Sequence, residues 1–208
     1  MRRFALAIIL TVVLSAPFSA LAVTIDFDSL TGGPIGSGDL VTNQYSGLGV
    51  TFIDTYTGGA HANNTLTSKI SGASSPNVLW VDQGGGGVGG QYLEIDFSYP
   101  INSFSFVFGT SLDSDIALTA YNGATVIGGG STVGATQIDD VLSGQFAFGS
   151  SSPFTSVRLF STYSQGGNSF NFSIDNVTLP SPVPEPSLML LLGFGLVGVA
   201  GLRRTVKR

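Results

Sequence analysis

The sequence predicts an all-β domain, an antiparallel β-sandwich of about nine or ten short strands, and three observations carry that expectation. Apolar and polar residues alternate with a period of two in one segment after another, as in Ser103-Phe-Ser-Phe-Val-Phe108 and Ile116-Ala-Leu-Thr-Ala-Tyr121. β-Branched and aromatic residues concentrate in those segments, while Gly, Pro and Asn fall between them. Nothing between residues 23 and 180 sustains a helical period.

Taken in order, the chain opens with a basic Met1-Arg-Arg-Phe4, an apolar run over 5–14, and the small-x-small triplet Ala20-Leu21-Ala22. That is the pattern of a secretory signal peptide over residues 1–22, with Ala20 and Ala22 marking cleavage and the mature chain starting near Val23. The β-domain then spans 23–180. Its half-buried strands are expected at 23–27, 49–53, 77–81, 92–97, 103–108, 116–121, 144–148, 155–160 and 170–179. Asn122-Gly123 predicts a tight hairpin before Thr125-Val-Ile127. The segment 58–64 around His61 reads as a loop. So does the glycine run 84–90, because its G-x-G-x-x-G match leads into a strand and not into the helix a dinucleotide site requires.

Charge narrows the function classes. Between residues 23 and 183 lie twelve acids but only Lys69 and Arg158 as bases, a formal charge of about −10. Such a surface repels phosphate backbones, so nucleic acid is not an expected partner. The chain has no cysteine, which rules out disulfides and thiolate zinc sites. His61 is the single histidine, and no G-x-S-x-G elbow exists, so no catalytic set is expected. Glu94 and Asp96 share one face of a strand, and Asp113 and Asp115 form a second such pair. A glycosidase needs two carboxylates across a cleft, which same-strand pairs do not by themselves supply. Trp80, Tyr92, Tyr99 and Tyr121 offer candidate sugar-stacking surfaces, with core packing the competing fate of each.

The C-terminal region, 181–208, has three parts: a rigid Val183-Pro184-Glu185-Pro186, an uncharged apolar run over 188–202, and a basic end with Arg203 and Arg204. Proline removes the N–H and holds its predecessor extended, so the first part is an accessible strip. As a helix the apolar run reaches about 22 Å. That is short of the roughly 30 Å hydrocarbon core, so as a transmembrane helix it would thin the bilayer, draw its arginines to the interface, or anchor only transiently. The basic end places the C-terminus in the cytoplasm and the β-domain outside.

In the order and spacing of these parts, this tail resembles the PEP-CTERM sorting signal of exported bacterial envelope proteins. The resemblance implies an exosortase as partner, processing near Pro184-Glu185-Pro186, and delivery to the cell surface or the exopolysaccharide layer. Until processing, the C-terminal helix would hold the protein to the membrane.

Phe27-Asp-Ser-Leu30, Gly47-Leu-Gly-Val-Thr-Phe52 and Phe172-Ser-Ile-Asp-Asn-Val-Thr178 look like the first and last strands of jelly-roll domains in exported bacterial proteins. That resemblance makes the sandwich jelly-roll-like. It implies a structural Ca2+ between first and last strands, with Asp28 and Asp175 as ligands and Asp26 and Asn176 beside them. Without calcium, Asp26 and Asp28 are solvent-facing strand residues and Asp175-Asn176 ends a ladder through its own side chains. The functional expectation is an envelope-sorted, non-catalytic domain that binds or structures exopolysaccharide. The alternative is a secreted glycan-active enzyme using a carboxylate pair.

Overall fold

A computed structural model describes residues 22–28, 38–55, 60–63, 67–81, 92–112, 114–163, 172–180 and residue 193. Ten strands run among them: β1 (Ala22–Ile25), β2 (Val50–Asp54), β3 (Ala60–Asn63), β4 (Val78–Val81), β5 (Leu93–Ser111), β6 (Ser114–Asn122), β7 (Thr125–Val133), β8 (Thr136–Ile138), β9 (Val141–Tyr163) and β10 (Phe172–Pro180). Their pairings are antiparallel, and the segment Ala22–Pro180 is one compact unit. Ala22 opens β1, whereas Ala20, the glycine run, Asp113, and the sorting residues Val183, Pro184, Glu185, Pro186, Arg203 and Arg204 lie outside the described residues. No helix among the described residues is long and apolar enough to cross a membrane.

Two long strands hold the sandwich together. The first part of β5 pairs with β2 and with the later part of β9, while its second part pairs with β10 and with the earlier part of β9. One layer therefore runs β2–β5–β9–β6–β7, and the other runs β3–β4–β10–β5–β9–β8 with β1 beside β10. The passage between layers falls where the β5–β9 register slips, between Asp96 and Ser103, with Pro100 on one strand and Pro153 on the other. Proline donates no ladder bond and so belongs at such an irregularity. The sequence predicts four separate strands at 92–97, 103–108, 144–148 and 155–160. The chain forms two instead, because it bends at the slip without leaving the ladder.

Both layers close on one core. Phe27, Phe52, Phe104, Phe106, Phe108, Phe154 and Phe172 are fully buried. Phe106 stacks on Phe146 at 5.5 Å and meets Phe104 at 5.5 Å, and Phe97 continues the row at 5.7 Å from Phe104. Rings at these spacings add roughly 0.5–1.5 kcal/mol per pair beyond the area they bury. A second group, Phe27, Tyr45 and Phe52, packs edge to face beneath β1 and β2.

Three elements depart from expectation. Segment 58–64 contributes β3, which sets His61 opposite Trp80. Its inward residues are the buried alanines Ala60 and Ala62, too small to give an apolar signal. Strand β7 contains Gly128-Gly-Gly130, poor strand formers, yet the Phe148 and Phe146 rings fill the space a side chain would take at Gly128 and Gly130. The hairpin turn is centred on Gly123-Ala124, one residue later than predicted, because Gly123 takes the left-handed φ of 58° that the first central residue needs.

Candidate functional site

The outward side of the β2–β5–β9–β6–β7 layer carries two side-chain rows fixed by strand register. One row runs Thr51, Asp96, Ser156, Tyr121, and the next runs Ile53, Glu94, Arg158, Thr119. Alternation produces both, since Leu93, Ile95, Val157, Leu159, Leu118 and Ala120 face the core. Tyr92, one residue before β5, joins this side.

Arg158 is the centre of the face. Its guanidinium carbon lies 4.4 Å from the Tyr92 ring centroid and 4.5 Å from that of Tyr121, so one cation is held between two aromatic faces. Its Nε stands 3.4 Å from Glu94 Oε1 and its Nη2 donates to the same oxygen at 3.5 Å. The Nε atom is buried without a hydrogen bond. Asp96, half-buried beside this pair, has its carboxyl pushed above the usual carboxylate range by burial and then by Glu94, with Arg158 opposing. The guanidinium covers one face of each ring, so the arrangement leaves the opposite face and the edge of each tyrosine, beside two carboxylates, as the surface for a flat polyhydroxylated ligand.

The four aromatics singled out from sequence divide. Tyr92 and Tyr121 come together around Arg158, whereas Trp80 lies on β4 in the other layer and Tyr99 donates its hydroxyl to Pro180 O at 3.2 Å. Glu94 and Asp96 share the face as expected, and Asp115 lies in β6. Arg158 is the residue that sequence reasoning passed over, as one of two bases and nothing more. Its phase in Thr155-Ser-Val-Arg-Leu-Phe160, outward between buried Val157 and Leu159, was the available signal. His61 is not loop-borne; it sits in β3 with Nδ1 3.1 Å from Gly38 O.

A second cluster forms where β1 ends against β10. Asp175 is fully buried, and its Oδ2 accepts from Ser74 N at 2.5 Å and from Ser74 Oγ at 2.9 Å. Asp28 Oδ1 accepts from Asn77 N at 2.6 Å, and Asp26 Oδ1 accepts from Asp28 N at 3.1 Å. Phe27 bridges the two acids at φ 56°, a turn that takes Asp28 out of strand geometry. Asp175 and Asn176 do not end a ladder: β10 continues to Pro180 past a register shift, with Asn176 at φ 49° and its amide donating to Gly72 O at 2.9 Å.

Two oxygens in this cluster, Asp175 Oδ1 and Tyr45 Oη, are buried without a hydrogen-bond partner. Burial raises the Asp175 carboxyl to about 6, with Asp28 adding to the rise and the Ser74 bonds resisting it. Burial also pushes the Tyr45 phenol up, helped by the nearby charges of Asp26, Asp28 and Asp175. Buried orphan oxygens of this kind call for a water or an ion. Calcium accepts carboxylate, carbonyl and hydroxyl oxygens in a flexible shell, so Asp28 and Asp175 fit it as donors. Among the described residues, however, no group of three His, Cys, Asp or Glu converges as a metal site, so two carboxylates are the most that this cluster supplies.

Comparison with known proteins gives one sequence match and several likenesses of structure. Residues 182–204 match the PEP-CTERM protein-sorting motif. No curated protein matches the chain. The K2 cleaved adhesin domain of Lys-gingipain is similar at 11% identity and TM-score 0.48, over 79% of this chain and 100% of that one. The K1 cleaved adhesin domain of Lys-gingipain from Porphyromonas gingivalis W83 is similar at 11% identity and TM-score 0.45, over 78% and 99%. A family 29 carbohydrate-binding module is similar at 11% identity and TM-score 0.40, over 80% and 96%. By its C-terminal segment, then, the chain is one that carries a PEP-CTERM protein-sorting motif, which marks it as an exosortase substrate.

Proposed function

We propose that the β-domain is the working part of an envelope-sorted protein and that it binds glycan, without catalysis, on the outward face of the β2–β5–β9–β6–β7 layer. The observation that carries this reading is the Arg158 guanidinium held between the Tyr92 and Tyr121 rings. A pyranose stacks its C–H face on an aromatic ring while its hydroxyls bond to neighbouring polar groups, and here those groups are Asp96, Thr119 and Ser156. Glu94 and Asp96 project side by side from one face of a single strand, so they do not flank a bond from two sides. Glu94 is moreover committed to Arg158. The test is glycan binding by the full chain and by its Tyr121→Ala and Tyr92→Ala forms, with hydrolysis followed in parallel. Binding lost in both variants with the fold retained supports the reading. Hydrolysis abolished by Glu94→Gln would establish the enzyme alternative in its place.

The same proposal places the chain in the membrane through its C-terminal helix until exosortase acts, and at the cell surface or beyond afterwards. Intact mass is the measurement: a chain ending near Pro184 to Pro186 only when exosortase is present supports this, and retention of Arg208 with and without the enzyme overturns it. It also gives a Ca2+ ion to Asp28 and Asp175, with Asp26 and Asn176 beside them. Bound there, calcium would neutralise carboxylates and fasten the end of β1 to β10.

A further inference from the structure

The charge layout of the proposed glycan face narrows the class of glycan, an inference that rests on that face being the binding site. Lys69 and Arg158 are the two Lys or Arg residues between positions 23 and 180, and neither is available. Lys69 Nζ lies 2.9 Å from Asp140 Oδ1 and 3.7 Å from Asp139 Oδ2, and Arg158 pairs with Glu94. A glycan bearing uronate, sulfate or phosphate groups would therefore meet carboxylates with no cation to receive it. On the face itself Arg158 stands beside Glu94 and Asp96, one cation against two carboxylates, so the local balance is negative.

Asp96 is the group left to bind something. Unlike Glu94 it has no ion pair or hydrogen bond from any described side chain, and it stands in the same register row as Tyr121 with Ser156 between them. Two strand spacings separate the ends of that row, about 10 Å. Ser156 is small and 7% exposed, so it floors the space between them. A sugar stacked on Tyr121 would thus carry a ring substituent across Ser156 to Asp96. A hydroxyl there would be a neutral donor to the carboxylate, whereas an ammonium would add the positive charge the face lacks.

We propose that this face selects an amine-bearing glycan, a hexosamine polymer with free amino groups, whose ammonium docks on Asp96 while its ring stacks on Tyr121. Asp96 is the specificity-determining residue and Tyr121 the platform. Because the contact is between opposite charges on a half-exposed face, it weakens as salt rises.

The experiment compares three oligosaccharides of equal length on the full chain: a β-linked glucosamine oligomer, its fully N-acetylated counterpart and an oligouronate. Calorimetric titration is done in a buffer acidic enough to protonate the sugar amine. The expected result is about tenfold tighter binding of the amine form than of the acetylated form, and no binding of the oligouronate. Asp96→Asn, which keeps the shape of the side chain, should erase the preference and bring the amine and acetylated oligomers to equal affinity. Equal affinity for the amine and acetylated forms, or oligouronate binding, overturns the amine proposal. If Tyr121→Ala still abolishes binding in that case, the face remains the glycan site and only its selectivity was misread. Binding that Tyr121→Ala does not touch, or no binding of any oligomer, overturns both.

Discussion

Replacing Asp175 by Asn converts the buried carboxyl near β1 into a permanently neutral group of the same shape, and its effect on stability depends on pH in a calculable way. In the folded chain burial lifts this carboxyl from 3.8 to about 6. The folded state therefore holds a proton that the unfolded state gives up, and stability drains away as pH rises from about 4 to about 6. A two-unit rise corresponds to about 3 kcal/mol lost at neutral pH relative to acid. The many other acids of this chain also respond to pH, so the quantity to follow is the difference between the parent and Asp175→Asn, measured by urea denaturation from pH 4 to pH 7 in chelator. That difference should move against the parent by about 2.4 kcal/mol across the range, because at pH 4 the unfolded carboxyl is already more than half ionised. Adding calcium at a hundred times its Kd should return about 2.7 kcal/mol to the parent at pH 7 and nothing to the variant. A difference that stays flat with pH refutes the raised carboxyl, and equal response of both proteins to calcium refutes Asp175 as a ligand.

Three further outcomes follow from packing and charge. Phe106→Ala removes a fully buried ring in contact with Phe104, Phe108 and Phe146 and should cost about 3–5 kcal/mol, read as a fall of roughly 10 °C or more in Tm; an unchanged Tm would mean the core repacks around the gap. Gly49→Ala places a Cβ 2.5 Å from Ser98 Oγ and 2.7 Å from the Tyr99 ring at a φ of 78°, so the urea midpoint should drop by the equivalent of about 1–3 kcal/mol, and an unshifted midpoint contradicts the clash. Arg158→Lys keeps the charge but loses the planar group that both tyrosines clamp; glycan affinity should fall while the fold, followed by circular dichroism, is retained.

Strand positions and the inward faces were readable because the period-two signal is strong wherever large side chains alternate, as at Phe104, Phe106 and Phe108. The signal fails where the inward residues are small. Ala60 and Ala62 hid β3, and Gly128 and Gly130 obscured β7, whose missing side chains are supplied by rings from β9. The continuity of β5 and β9 was illegible for a different reason: whether a chain bends or breaks at Pro100 and Pro153 is decided by the partner strand. In the candidate site, Glu94 and Asp96 followed from spacing, but the meeting of Tyr92, Arg158 and Tyr121 depends on the register of three strands distant in sequence. Ser74 and Tyr45 around Asp175 come from segments with no periodic signal at all, and Asn77 stands at the edge of a predicted strand, where alternation says nothing about a bond to Asp28.

The pairing of β1 with β10 sets how the domain bears load. Ala22 lies opposite Pro180 and Val23 opposite Leu179, so both ends of the compact unit emerge from one short ladder. Ladder bonds stand perpendicular to the strands. A pull on Pro180 along the strand axis therefore strains the β1 and β5 bonds of β10 together, with the Tyr99 hydroxyl on Pro180 as an extra latch. A pull across the axis opens them one at a time, beginning at the end where β10 has β1 alone for a neighbour. The same few residues thus make a joint that is strong in shear and weak in peel, and a tethered molecule in moving fluid would hold or yield according to the direction of drag.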